Sequence, residues 1–178
     1  MERTESEQQY STIGSDQVNL LISLLIRFPH ISAVHYEPSD RSLRLVYLLQ
    51  RANLDEMQQF VQRAQLHLEA FHSLEAARPI PQLATIQHEN SDELLILQIK
   101  RDVDSFSYEE LNLINELVQT SFPEKVVYDL VDSVDVDYFD EEDSIASFLA
   151  AGDRFGDEKL SGFREKGKVL VFSTPVRS

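Results

Sequence analysis

Ser42-Leu43-Arg44-Leu45-Val46-Tyr47-Leu48-Leu49-Gln50-Arg51 is the stretch on which the fold turns. Leu43, Leu45, Tyr47 and Leu49 recur at every second position, the spacing that lines one face of a strand. Their neighbours Arg44, Val46 and Leu48 are only partly polar, so the segment is predicted as a central strand rather than an edge. The run before it, Ile31 to Glu37, is parted from it by the turn residues Pro38-Ser39-Asp40-Arg41, and the two read as a β-hairpin.

Outward from this hairpin the period changes. From Asn53, a good N-cap, Met57, Phe60, Val61, Ala64, Leu68 and Phe71 follow helical spacing, and the helix must stop before Pro79 and Pro81. On the N-terminal side, Ser15 or Asp16 can cap a helix carrying Val18, Leu21, Ile22 and Leu25 up to Phe28-Pro29. Leu20, Leu24 and Ile26 widen that stripe, so this helix needs cover on more than one side, from a sheet and from another helix or a second subunit. A second hairpin is predicted from Gln82 to His88 and Glu93 to Arg101, around Asn90-Ser91-Asp92. A third helix starts near Ser107, with Glu110 completing a capping box, and runs through Leu111, Ile114, Leu117 and Val118 to Phe122-Pro123. A strand from Lys125 to Leu130 and a short helix from Ser144 to Ala151, closed by Gly152, follow.

The resulting order, α-β-β-α-β-β-α-β, predicts an α+β protein: a mainly antiparallel sheet of about five strands with its helices on one face. From Ser42 onward it contains β-α-β-β-α-β and resembles the ferredoxin-like order. Shifting the chain by 52 residues lays Val34–Tyr47 on Ile86–Ile99 without a gap, matching Glu37, Ser39 and Asp40 to Glu89, Ser91 and Asp92. This reads either as an internal repeat or as two hairpins sharing turn residues. The boundaries expected are a disordered tail over 1–14, an α+β domain over 15–131, an acidic linker with a short helix over 132–158, and a basic strand-prone tail over 159–178.

A chain of 178 residues can bury a full core without a metal or disulfide staple. It has no cysteine, which removes disulfides, thiolate metal sites and cysteine nucleophiles. The polar start Met1-Glu2-Arg3-Thr4-Glu5 lacks a signal-peptide pattern, and Val18 to Phe28 is too short and interrupted to cross a bilayer. A cytoplasmic location is expected. A formal charge of −15 opposes direct binding to nucleic acid or to anionic membranes.

That charge is unevenly distributed. Glu124 to Glu158 holds twelve acids against Lys125 and Arg154. Within it, Asp135 and Asp137 alternate as on one strand face, and Asp140, Glu141, Glu142 and Asp143 follow closely. Clustered carboxylates suit hard divalent cations, but the calcium-loop pattern fails, since Phe139 and Asp140 stand where a ligand oxygen and the turn glycine are wanted. The competing reading is a solvated linker, or a docking strand through Val134, Val136, Tyr138 and Phe139. The sign then reverses, with five basic residues against Glu165 alone over 159–178. Phe163, Arg164, Lys166, Lys168, Val169, Val171 and Phe172 make this a strand-prone basic segment that joins the chain's own sheet or receives another molecule by strand addition or charge.

Catalytic signatures are missing. Five glycines form no phosphate-binding loop or nucleophile elbow. His67 and His72 are five apart, where a helical metal pair is three or four apart, and with His30, His35 and His88 they read as surface or boundary residues. No cofactor is implied. The leading expectation is a non-catalytic protein-binding or regulatory protein that makes contacts through 124–158 and the C-terminal tail, with a homodimer suggested by the apolar first helix. The alternatives are a small-molecule sensor on a ferredoxin-like sheet and a metal-dependent enzyme using the 132–143 carboxylates.

Overall fold

The computed structural model describes residues 15–74, 81, 84–91, 93–128, 141–150 and 156–175. Among them run α1 (Ser15–Arg27), β1 (Ala33–Glu37), β2 (Ser42–Gln50), α2 (Leu54–Leu74), β3 (Ala84–Ser91), β4 (Leu94–Asp102), α3 (Tyr108–Ser121), α4 (Glu141–Ala150), β5 (Glu158–Glu165) and β6 (Lys168–Pro175). All six strands form one antiparallel sheet in the order β3-β4-β2-β1-β5-β6. The α+β class and both predicted hairpins are present. The sheet has six strands rather than about five, because the basic C-terminal segment supplies two.

β2 is central, as its sequence requires. It pairs with β4 along its whole length, from Ser42 opposite Asp102 to Gln50 opposite Leu94. Leu43, Leu45, Tyr47 and Leu49 are buried on one side, joined by Leu95, Leu97 and Ile99 of β4. A helix layer in which α2 touches α3, α3 touches α4 and α4 touches α1 covers that side. β4 sits between β2 and β3, which gives β2-α2-β3-β4-α3 the split arrangement of ferredoxin-like folds.

The place of a closing strand is taken differently. Val126 makes a single bridge to Leu49, with Gln50 N donating to Lys125 O at 2.7 Å and Val127 N to Leu48 O at 2.8 Å. The strand predicted from Lys125 to Leu130 is thus one bridge within the described residues, and Leu130 lies outside them. The physical reason is competition for the same edge: β1 already pairs with β2 from Ser42 to Val46, leaving only Leu48 to Gln50 open. The 52-residue shift relates Val46 to Gln98, which face each other across β2 and β4. The outer strands depart from it, since the shift would set Thr85 opposite Gln98 where Lys100 stands.

Caps follow local chemistry. Glu56 N donates to Asn53 Oδ1 at 2.8 Å and Asn53 N to Glu56 Oε1 at 3.3 Å, a reciprocal capping box that starts α2. At α3 only half of the predicted box forms. Ser107 Oγ accepts from Glu110 N at 3.2 Å, but the Glu110 carboxylate is turned inward to Arg101. The β5–β6 loop has two residues, Lys166 at φ 50° and Gly167 at φ 76°, the paired positive values of a type I′ hairpin turn.

α1 lies on β1, β5 and β6 with α4 alongside, so its broad apolar surface is used within the chain. The apolarity that suggested a homodimer therefore has an intramolecular cause. No described helix is long and apolar enough to cross a membrane. The expected tail over 1–14 falls outside the described residues. The expected C-terminal helix starts three residues early, at Glu141.

α1 approaches β5 most closely at Gly162, where a Cβ would stand 3.0 Å from Leu25 Cδ1 and 3.5 Å from Leu21 Cδ2. The Gly162→Val chain should lose about 2 kcal/mol of stability from overpacking, read as a lower midpoint in urea denaturation with little change in slope.

Candidate functional site

Alternation along β5 and β6 divides the predicted contact residues into two sets. Val169 and Val171 face the helices and pack against the core. Phe163 and Phe172 face the opposite side, where they are 37% and 55% exposed, with ring centroids 6.0 Å apart. Leu170, 38% exposed and paired in register with Phe163, joins them. The row continues through Ala33 and Val46, opposite Phe163 and Ala33 respectively, and Leu48 and Ile96 pair in a neighbouring row. An apolar band thus crosses, from β4 to β6, the face on which no described helix packs.

Cations flank this band. Arg44 stands opposite His35 on β1, makes no ion pair among the described residues, and its Nε has no hydrogen-bond partner there. Lys159 lies 3.5 Å from Glu37, and Lys100 2.7 Å from Asp40. Lys168 is exposed at the start of β6, and Lys166 occupies the turn. Arg164 has a different role. Its Nη1 donates to Pro29 O at 3.0 Å and Ile31 O at 2.6 Å, and its Nη2 to Leu25 O, which places a cation at the C-terminus of α1 where free carbonyls collect.

His35 bridges the two strands of this face, with Nδ1 2.9 Å from Ser161 Oγ and its ring edge-on to Phe163 at 5.5 Å. Burial, then the charges of Arg44 and Lys159, hold its pKa down at about 4.

The acidic candidates fall elsewhere. Asp135, Asp137 and Asp140 lie outside the described residues. Glu141, Glu142 and Asp143 open α4, at the helix end that favours negative charge. No group of three or more His, Asp or Glu able to hold a metal occurs among the described residues.

A second cluster escaped the sequence reading altogether. Arg101 and Glu110 are 1% and 0% exposed, and Arg101 donates to both Glu110 oxygens, from Nη2 at 2.8 Å and from Nε. Arg101 Nη1 donates to Asp102 Oδ1 at 2.6 Å and Ser105 Oγ at 3.1 Å, while Ser105 N and Oγ donate to Asp102 Oδ2. His72 Nε2 stands 2.7 Å from Glu110 Oε1. His72 is half-buried, within the surface-or-boundary expectation for the histidines, while Glu110, read as half of a capping box, turns its carboxylate into this cluster. The available signal was Arg101 itself, a charge in the inward parity of β4 set by Leu95, Leu97 and Ile99.

No protein-family model matches the chain, and neither does any curated protein or any solved structure.

Two outcomes follow from these groups. His35 takes up its proton later in the folded than in the unfolded chain, so folding stability falls as pH drops from 6.5 towards about 4. Urea midpoints of the His35→Gln chain should decline less steeply across that window than those of the wild type. Replacing Arg101 by Met leaves Glu110 and Asp102 buried without their cation and should cost about 3–5 kcal/mol. Adding Glu110→Gln to Arg101→Met should recover part of that loss in a double-mutant cycle.

Proposed function

We propose that this protein is a non-catalytic protein-binding module whose docking surface is the edge and the face of the β5–β6 hairpin that no described strand or helix covers. The observation that carries this reading is the contrast between the two ends of the sheet. β3 closes one end with Gln87, His88, Glu89, Asn90 and Ser91, polar residues that discourage pairing with another strand. β6 closes the other with Val169, Leu170, Val171 and Phe172, and the exposed side chains of this apolar run continue into the band described above. Unpaired backbone along such an edge is a template for an added strand, and Leu170 and Phe172 supply side-chain contacts to it.

Charge selects the occupant. Residues 166–175 carry Lys166 and Lys168 and no acid, in a chain of net charge −15, and Arg44 adds a cation without an ion-pair partner among the described residues. The partner this chemistry fits is an extended segment alternating apolar and acidic residues, which lays its apolar side on Leu170, Phe172 and Phe163 and its carboxylates towards the cations.

A fluorescent Val-Asp alternating peptide should bind the full chain, by anisotropy, while a Val-Lys peptide of equal length should not. Leu170→Ser and Phe172→Ser, both at exposed positions, should each weaken binding by about tenfold. Equal binding of the two peptides, or affinity untouched by both substitutions, would remove the reading. A dimer seen by light scattering that Phe172→Ser dissolves, without peptide binding, would assign the face to a second copy of the chain.

A further inference from the structure

A cavity of about 300 Å³ opens between α2 and the edge strand β3, on the helix side of the sheet and at the opposite end from β6. This volume is at the lower end of the range for small-molecule pockets. One wall is a stripe of α2, with Leu68 buried and Gln65 and Glu69 exposed towards the mouth. The floor is made by Ile86 and its register partner Ile99, and by Ala84 and its register partner Arg101. Leu68, Ile86 and Ile99 make one end apolar, while His72 and Arg101 make the other polar.

The polar end discriminates by sign. Arg101 has five N–H donors, and every one has an acceptor within the protein. Nε and one Nη2 hydrogen meet Glu110, the other Nη2 hydrogen meets Ser105 O at 3.4 Å, and the Nη1 pair meets Asp102 and Ser105 Oγ. An entering anion would find no guanidinium donor free. Behind Arg101 stand two buried carboxylates, Asp102 and Glu110, and Glu69 adds another carboxylate at the rim. His72 Nε2 stands 2.7 Å from Glu110 Oε1, which holds the ring within the buried network.

We propose that this cavity binds a small organic cation, an ammonium group on a short apolar body. The ammonium is taken by the Glu69 carboxylate at the rim, and the apolar body rests on Leu68, Ile86 and Ile99. The buried Arg101–Asp102–Glu110 network reaches the cavity lining through Arg101, whose donors are already met within the protein, so carboxylate ligands of the same shape find no donor to replace their water. The site is independent of the β5–β6 docking surface in both position and chemistry.

The test uses the full chain with matched probes: isoamylamine and benzylamine against isovalerate and benzoate, followed by thermal denaturation and calorimetry. Amines at about ten times their dissociation constant should raise the midpoint by about 3 °C, and the carboxylates should not. Glu69→Gln should weaken amine binding by about tenfold, and Ala84→Phe, which fills the cavity from an exposed edge position, should abolish it. Leu170→Ser and Phe172→Ser should leave it unchanged, which separates this site from the peptide-binding reading. Stabilisation by carboxylates equal to that by amines, no binding of either class at millimolar concentration, or amine binding undiminished in both cavity variants would overturn the proposal.

Discussion

Everything else in the molecule is built on the nine-residue antiparallel pairing of β2 with β4. Because side chains alternate, that single register decides at once that Leu43, Leu45, Tyr47 and Leu49 share a face with Leu95, Leu97 and Ile99. A slip of one residue would turn both strands' apolar sets to opposite faces and leave the helices nothing to cover. The helix layer, the placement of β1 beside β2 and of β3 beside β4, and the position of Arg101 on the core side are all consequences of it.

Arg101 shows what such a constraint entails. The register carries a guanidinium to the core side of β4, where an unpaired charge would be untenable. The chain answers with Asp102 beside it, Ser105 in the following turn and Glu110 from the first turn of α3, so each polar atom of the cation is satisfied. This ties the end of β4 to the start of α3 through a network that holds its geometry, and it leaves the guanidinium that lines the cavity under α2 with its donors already met. A buried ion cluster of this kind adds less to stability than an apolar core of the same volume would, and its directional bonds specify one arrangement.

The C-terminal hairpin completes the sheet and changes its character. By pairing β5 with β1 it buries Leu160, seats α1 on Gly162 and brings Arg164 to the carbonyls at the end of α1. The same alternation that turns Val169 and Val171 inward presents Phe163, Leu170 and Phe172 outward, on the side that carries no described helix. One end of the sheet is closed by polar residues and the other by an apolar strand, and the asymmetry sits in a segment whose charge is opposite to that of the chain as a whole.

Local pattern alone determined the α+β class, both hairpins, the Asn53 cap of α2, and the positions of the first three helices, because each depends on periods and turn chemistry contained within a few residues. Tertiary structure decided the rest. Whether Lys125 to Val127 extends as a strand depends on which segment reaches the edge of β2 first, and β1 holds most of it. Arg164 reads as a surface cation until α1 ends beside it, and Glu110 reads as half of a cap until Arg101 is carried in from β4. Such roles are set by partners 9 to 139 residues away, from Arg101 with Glu110 to Arg164 with Leu25, and no window of local periodicity contains them.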